Sequence, residues 1–277
     1  RGGWLPFQES IRSTFNGRGG GPCCRMVSNL PETLKVLPLL IVKLGDTIPD
    51  LAACRGGFET WIAAALGSAP VRIVDPRHDP QGLPGPAEIS AAVITGSRSM
   101  VTDRAAWSET TARWLARVVA EGKPVLGICY GHQLLAHALG GEADWHPEGI
   151  EIGTVAVRKT PAAIADPLFA ELPDVFHAQA VHRQSAVRLP PGAECLARND
   201  FEPHHAFRFG QAAWGVQFHP EFDAFAMRGY IRHLADALRN DGADPDAIAR
   251  TVTDTPAAAA ILARFGRFVM ERSARPM

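Results

Sequence analysis

A cysteine with a glycine two residues away on each side, in Gly127-Ile128-Cys129-Tyr130-Gly131-His132-Gln133, is the position in this chain best suited to nucleophilic chemistry. Val125, Leu126, Gly127 and Ile128 form a short apolar run of the kind that makes a buried strand. Leu134, Leu135, Ala136, Ala138 and Leu139 continue as a helix, stopped by Gly140-Gly141. Cys129 therefore falls on a tight strand-to-helix turn, where Gly127 and Gly131 remove side chains that would hold strand and helix apart. A thiol there faces the amides and the positive dipole end of the following helix, and both favour the thiolate.

Thiolate chemistry calls for a base. Ala213 to Phe218 reads as another strand, running directly into His219-Pro220-Glu221. On extended backbone residues i and i+2 point to the same side, so Glu221 can reach the imidazole of His219. A carboxylate there fixes the tautomer and stabilises the imidazolium that forms when Cys129 ionises. Pro220 keeps the intervening backbone extended. Cys129, His219 and Glu221, each after a strand, make a candidate triad. The same tripeptide recurs at His146-Pro147-Glu148, but it follows Gly140-Gly141-Glu142-Ala143-Asp144 and precedes Gly149, a loop context with no buried strand. Context assigns the base to His219, not His146.

Two further groups follow from spacing. A third strand, Ala91 to Ile94, ends in Thr95-Gly96-Ser97-Arg98-Ser99, where Gly96 lets backbone approach a ligand. Its amide and that of Tyr130, the residue after the nucleophile, are the candidate oxyanion donors. Gln133 lies one helical turn beyond Cys129, so its amide faces the same cavity. His132 and His137 read as structural.

The motifs at Gly127 to Gln133 and Val216-Gln217-Phe218-His219-Pro220-Glu221-Phe222 together resemble the class I (triad) glutamine amidotransferases, over roughly residues 39–240. The chain is similar to a stand-alone bacterial branch related to the glutaminase domain of GMP synthetase and to γ-glutamyl peptidases. The resemblance implies hydrolysis of the glutamine side-chain amide by a Cys-His-Glu triad, with no metal or organic cofactor. It also implies that Gln133 helps hold the α-amino or α-carboxylate group of bound glutamine. His182-Arg183-Gln184-Ser185 resembles a segment that closes over the glutamine pocket, although the residues after His182 differ from the family's usual ones. In the turn after Gly96, Ser97 stands where the family usually carries glycine.

The elements that must position these groups alternate. Leu39–Val42, Val71–Val74, Ala91–Ile94 and Val125–Ile128 read as strands, separated by a helix with its face at Phe58, Trp61, Ile62 and Leu66 and by one over about Asp103 to Glu121. A loop through Gly45, Asp46 and Pro49 follows the first strand. This alternation calls for an α/β fold: a mostly parallel central sheet with helices on both faces, flavodoxin-like, with ligands at the carboxyl ends of the strands. Glu151 to Val157, Glu194 to Ala197 and His205 to Phe209 add antiparallel strands at the sheet edge, and a helix from about Ala224 to Leu238 completes the domain over residues 26–240. Residues 241–277 form a C-terminal helical extension. Thr255 is placed to cap a helix that begins with Pro256, and Ile261, Leu262, Phe265 and Phe268 form a stripe that packs on the domain or on a partner subunit. Residues 1–25, with Arg18-Gly19-Gly20-Gly21-Pro22, are expected to be a disordered extension ahead of a natural start at Met26.

Composition narrows the partners. With 46% hydrophobic and 21% charged residues, the 277-residue chain has ample material for one α/β unit with additions. A net charge of -1 gives no electrostatic case for nucleic acid or a membrane surface. No apolar run approaches the ~20 residues that span a bilayer. Five cysteines (Cys23, Cys24, Cys54, Cys129 and Cys195) lack disulfide or metal spacing, which points to a reducing, cytoplasmic setting. No Ser-Gly-Gly or Walker-type nucleotide loop and no second large domain is present. Three readings follow. The chain hydrolyses glutamine or a γ-glutamyl small molecule by itself or as a homo-oligomer, supplies ammonia to a separate synthetase partner, or keeps the fold as a non-catalytic binding protein. The intact triad argues against the third.

Overall fold

The computed structural model describes residues 37–274, so the expectations for residues 1–25 and for Met26, Cys23 and Cys24 lie outside the described residues. In chain order the elements are β1 (Leu39–Val42), α1 (Pro49–Arg55), α2 (Phe58–Ala65), β2 (Val71–Val74), β3 (Ala91–Ile94), α3 (Ala106–Ala120), β4 (Val125–Ile128), α4 (Tyr130–Ala138), β5 (Glu142–Trp145), β6 (Glu151–Lys159), β7 (Val175–His182), β8 (Gln184–Arg188), β9 (Ala193–Arg198), β10 (Ala206–Phe209), β11 (Ala213–Val216), α5 (Ala224–His233), α6 (Ala235–Asn240), α7 (Pro245–Thr251) and α8 (Pro256–Ser273).

Nine strands form one sheet in the order β2-β1-β3-β4-β11-β10-β9-β6-β7, while β5 and β8 pair separately. Pairings from β2 through β11 are parallel, and those from β11 through β7 antiparallel. The central strands LLIV, AAVI and VLGI are buried along their whole length, as parallel strands covered on both faces must be. Strand periodicity divides their side chains between two cores. Leu39, Ile41, Val93, Leu126 and Ile128 share one core with Phe58, Ile62 and Met227, whereas Leu40, Val42, Ile94 and Val125 share the other with Trp114, Leu115, Leu134 and Leu135. Helices α3 and α4 cover one face, and α2, α5 and α8 the other.

The antiparallel part, β10, β9, β6 and β7, extends one edge of the parallel sheet beyond β11. It curls so that its far strand returns to the centre: His219 N donates to Gln179 O of β7 at 2.8 Å. Helix α8 belongs to the main core, with Ile261, Leu262 and Phe265 fully buried and Phe265 and Phe268 edge-on to Trp214.

Several local expectations need correction. Pro49 opens helix α1 rather than sitting in a loop, as its fixed φ suits a first helical position. The helix after Glu221 divides at Leu234 into α5 and α6. Thr255 sits at the N-cap of α8, yet its hydroxyl makes no capping bond. Strands β7 and β8 occupy a stretch to which the sequence reading assigns no element, and the segment before His146 is strand β5 rather than loop, although only Ala143 in it is buried.

Candidate active site

Three neighbouring parallel strands, β3, β4 and β11, carry the chain into the site at their carboxyl ends. β3 leads to Gly96, β4 to Cys129 and β11 to His219. Cys129 N donates to Val216 O at 2.8 Å, tying the turn to β11, and Cys129 O accepts the first helical bond of α4 from Gln133 N at 3.1 Å. Cys129 itself has φ 51° and ψ −101°. Among the described residues only Arg104 shares a positive φ without being glycine. Strain of this kind persists only where the surroundings enforce it. The flanking glycines show how they do so: a Cβ on Gly127 would lie 2.4 Å from Gly131 O, and one on Gly131 would lie 2.5 Å from Ile94 O.

The thiol is nearly buried, with Sγ 3.8 Å from Val181 O. His219 is buried beside it. Its Nδ1 donates to Glu221 Oε1 at 2.8 Å, and both side chains are shielded from solvent. Its Nε2 has no hydrogen-bond partner among the described residues and is left on the side of the ring available to Cys129. Burial alone would lower the pKa of His219, but the charges of Glu221 and Cys129 outweigh it and raise the group to about 10. Ring stacking on Phe222 at 4.2 Å and on Phe58 at 6.1 Å holds the imidazole in place. Gly96 belongs to the same cluster: a Cβ there would come within 3.0 Å of His219 Cε1 and 3.8 Å of Cys129 Cβ.

A cavity of about 280 Å³ opens over Cys129 and His219, lined also by Tyr130, Gln133, His182 and Gln184. Tyr130 reaches it at the start of α4, while its phenol points into the core and bonds Ser108 Oγ at 2.6 Å. Burial raises the phenol to about 12. Gln133 is buried, and its Nε2 donates to Gln184 O at 2.7 Å and to Gln217 Oε1 at 3.0 Å. With its NH₂ committed to these two acceptors, the polar atom Gln133 can offer the cavity is its oxygen.

His182 lies on the wall with both ring nitrogens engaged inside the protein. Nδ1 donates to Gln184 O at 3.0 Å, and Nε2 faces Glu151 Oε2 at 2.9 Å. Glu151 also lies 3.2 Å from His205 Nε2 and accepts from Asn199. Burial opposes its ionisation, but the bonds from His182 and His205 hold its carboxyl well below the usual carboxylate range. The structure thus brings Gly96, Cys129, Tyr130, Gln133, His182, His219 and Glu221 together. It does not bring His146. That ring stacks on Phe201 at 4.0 Å, donates from Nε2 to Phe201 O at 3.0 Å and accepts from Glu148 N at Nδ1. His132, pushed down to about 3 by burial, is likewise internal.

The sequence alone did not single out Gln184, Gln217 or Glu151. Gln217 carried a signal, since it is an amide inside the otherwise apolar run Trp214 to Phe218, where burial demands a polar partner.

A family model of class I glutamine amidotransferases matches residues 57–231, more than half of the chain. The chain is 35% identical over 174 residues to a glutamine-hydrolyzing GMP synthase subunit of Methanopyrus kandleri, covering 62% of this chain and 83% of that protein. It is 30% identical over 158 residues to the γ-glutamyl-L-1-hydroxyisopropylamide hydrolase of a Pseudomonas species, covering 54% of this chain and 53% of that one. The GMP synthase of Aeropyrum pernix is 40% identical over 115 residues, which are 42% of this chain. The chain spans only 22% of that GMP synthase and about half of the hydrolase. Among solved structures, the glutamine amidotransferase of Methylobacillus flagellatus superimposes with a TM-score of 0.66 at 22% identity, over 87% of this chain and 97% of the other, which shows the same fold. No helix among the described residues is long and apolar enough to cross a membrane.

Proposed function

Because the chain belongs to the class I glutamine amidotransferases, we propose that it hydrolyses the γ-amide of glutamine, or of a γ-glutamyl compound, through a thioester on Cys129. The observation that carries this reading is the Cys129 backbone, held at φ 51° beside a histidine whose far nitrogen is bonded to a buried carboxylate. Cys129 gives its proton to His219 Nε2, and the thiolate attacks the amide carbon. The carbonyl oxygen takes up negative charge facing the backbone amides of Tyr130 and Gly96. Collapse of this adduct breaks the carbon–nitrogen bond as His219 delivers its proton to the departing amine or ammonia. Water then loses a proton to His219 and attacks the thioester, releasing the γ-carboxylate and restoring Cys129. Glu221 keeps His219 oriented and favours its protonated form throughout.

Gln133 serves the amino-acid head of the substrate. Its outward oxygen accepts from the α-ammonium and is the wrong polarity for the α-carboxylate. His182 acts through the wall: its bond to Gln184 O fixes the carbonyl that orients Gln133. The test is ammonia release from glutamine by the purified protein and by Cys129→Ala, Cys54→Ala and Cys195→Ala variants. The reading requires loss in the first alone; near-normal release by Cys129→Ala removes it.

A second reading, in which the chain hands ammonia to a separate synthetase, draws on the 83% coverage of a protein named as a GMP synthase subunit. Glutaminase activity that rises on adding a co-purified synthetase favours it. Full activity of the isolated chain, unchanged by that addition, favours independent action.

A further inference from the structure

Among the described residues lining the cavity over Cys129 there is no aspartate or glutamate, yet Arg98 and Arg183 are there. Arg183 is already paired with Asp241 at 2.8 Å. Arg98 is exposed and makes no ion pair or hydrogen bond among the described residues. It sits two residues beyond Gly96, where an added Cβ would come within 3.0 Å of His219 Cε1. Tyr230 lines the same cavity, and burial raises its phenol to about 12. Tyr230 packs on Phe222 at 5.0 Å, and Phe222 in turn stacks on His219. An uncompensated guanidinium therefore lines the cavity over Cys129, whose described lining offers it no acidic side chain.

Another part of the lining has the complementary polarity. Gln133 presents an oxygen because Gln184 O and Gln217 Oε1 take both hydrogens of its NH₂. That oxygen suits a cationic donor, which leaves any carboxylate of the ligand to be met elsewhere. We infer that Arg98 is a specificity-determining residue that ion-pairs a substrate carboxylate lying away from the scissile amide. The inference rests on the proposal that Cys129 reacts with a γ-glutamyl compound in this cavity. Two carboxylates fit: the α-carboxylate of the γ-glutamyl half, and the carboxylate on the leaving amine of a γ-glutamyl amino acid. Their chemistry at the guanidinium is the same, and suitable ligands separate them.

The experiment is calorimetric titration of Cys129→Ala protein, with and without Arg98→Gln, using glutamine, glutaminamide and γ-glutamyl-alanine. A charge-assisted bond in this setting makes Arg98→Gln cost about ten-fold or more in affinity for a carboxylate it engages, with partial recovery in Arg98→Lys. If the α-carboxylate is the partner, glutamine and γ-glutamyl-alanine weaken alike and glutaminamide is unchanged. If the leaving side is the partner, only γ-glutamyl-alanine weakens. Affinities unchanged within two-fold for all three, or an equal loss for glutaminamide, overturn the inference. Turnover by Arg98→Gln with Cys129 intact gives the matching kinetic signature, a raised KM with kcat preserved. Arg98-dependent binding in a protein that releases neither ammonia nor amine keeps Arg98 as the carboxylate-binding residue and sinks the proposed reaction, on which its role in substrate specificity rests.

Discussion

Replacing Glu221 by Gln isolates the role of charge behind the proposed base. The amide keeps the size of the carboxylate and can still accept from His219 Nδ1, so the 2.8 Å contact has a neutral equivalent. The buried negative charge is lost. In the native protein burial opposes the imidazolium, and the charges of Glu221 and Cys129 more than offset it, raising His219 from 6.5 to about 10. That rise corresponds to about 5 kcal/mol in favour of the protonated ring. If Glu221 supplies half, its loss costs about 2 to 3 kcal/mol, roughly a seventy-fold fall in kcat/KM. Because the imidazolium must protonate the leaving nitrogen, the high-pH limb of the rate profile moves to lower pH in the variant. The stability effect has the same sign. A raised histidine pKa contributes stability that is fully present below 6.5 and is lost as pH rises through about 10. The stability gap between native and Glu221→Gln protein should therefore be widest below pH 6.5 and narrow toward pH 10. Steady-state ammonia release from pH 5 to 10, with denaturant melts at the same pH values, measures both. Activity within three-fold of native at every pH, with an unmoved high-pH limb, refutes the reasoning.

Other outcomes follow from the same geometry. His219→Ala should lower turnover by several orders of magnitude, whereas His146→Ala, which loses its stacking and bond with Phe201, the bond from Glu148 N and an edge contact with His182, should lower melting temperature and leave kcat nearly intact; ammonia assays beside circular dichroism separate the two. Gly131→Ala drives a methyl into the Ile94 carbonyl and should cost about 3 kcal/mol, read as a lower urea midpoint. Glu151 has a depressed pKa, so its ionisation adds stability above pH 4.5 that is lost as pH falls through its folded value. Glu151→Gln should thus be least stable relative to native at neutral pH, with the deficit shrinking in acid, as thermal melts from pH 3 to 7 can show.

How far the sequence reveals this molecule depends on where each element hides its side chains. The runs that become β1 to β4 are legible because strands buried on both faces are apolar throughout, and Gly127 and Gly131 mark the turn because no side chain fits there. The contrast between His219 and His146 is legible too, since one follows an apolar strand and the other a glycine-rich segment. Strands β7 and β8 are obscured by their own chemistry: His182, Gln184 and Ser185 are buried polar residues that break the apolar pattern. Helix α1 is hidden by its brevity and by Pro49, which reads equally as a turn. The orientation of Gln133 could not be read, because it depends on Gln184 and Gln217, 51 and 84 residues away in the chain.

The most direct test of the central claim is to quench the protein in acid during turnover of glutamine and map the modified peptides by mass spectrometry. The account predicts a γ-glutamyl adduct on the peptide carrying Cys129, absent from Cys129→Ala protein and accumulating when His219 is replaced by a residue that cannot activate water but still leaves slow acylation. Substrate consumed with no adduct at Cys129 in any of these proteins, or an adduct on Cys54 or Cys195 instead, contradicts it.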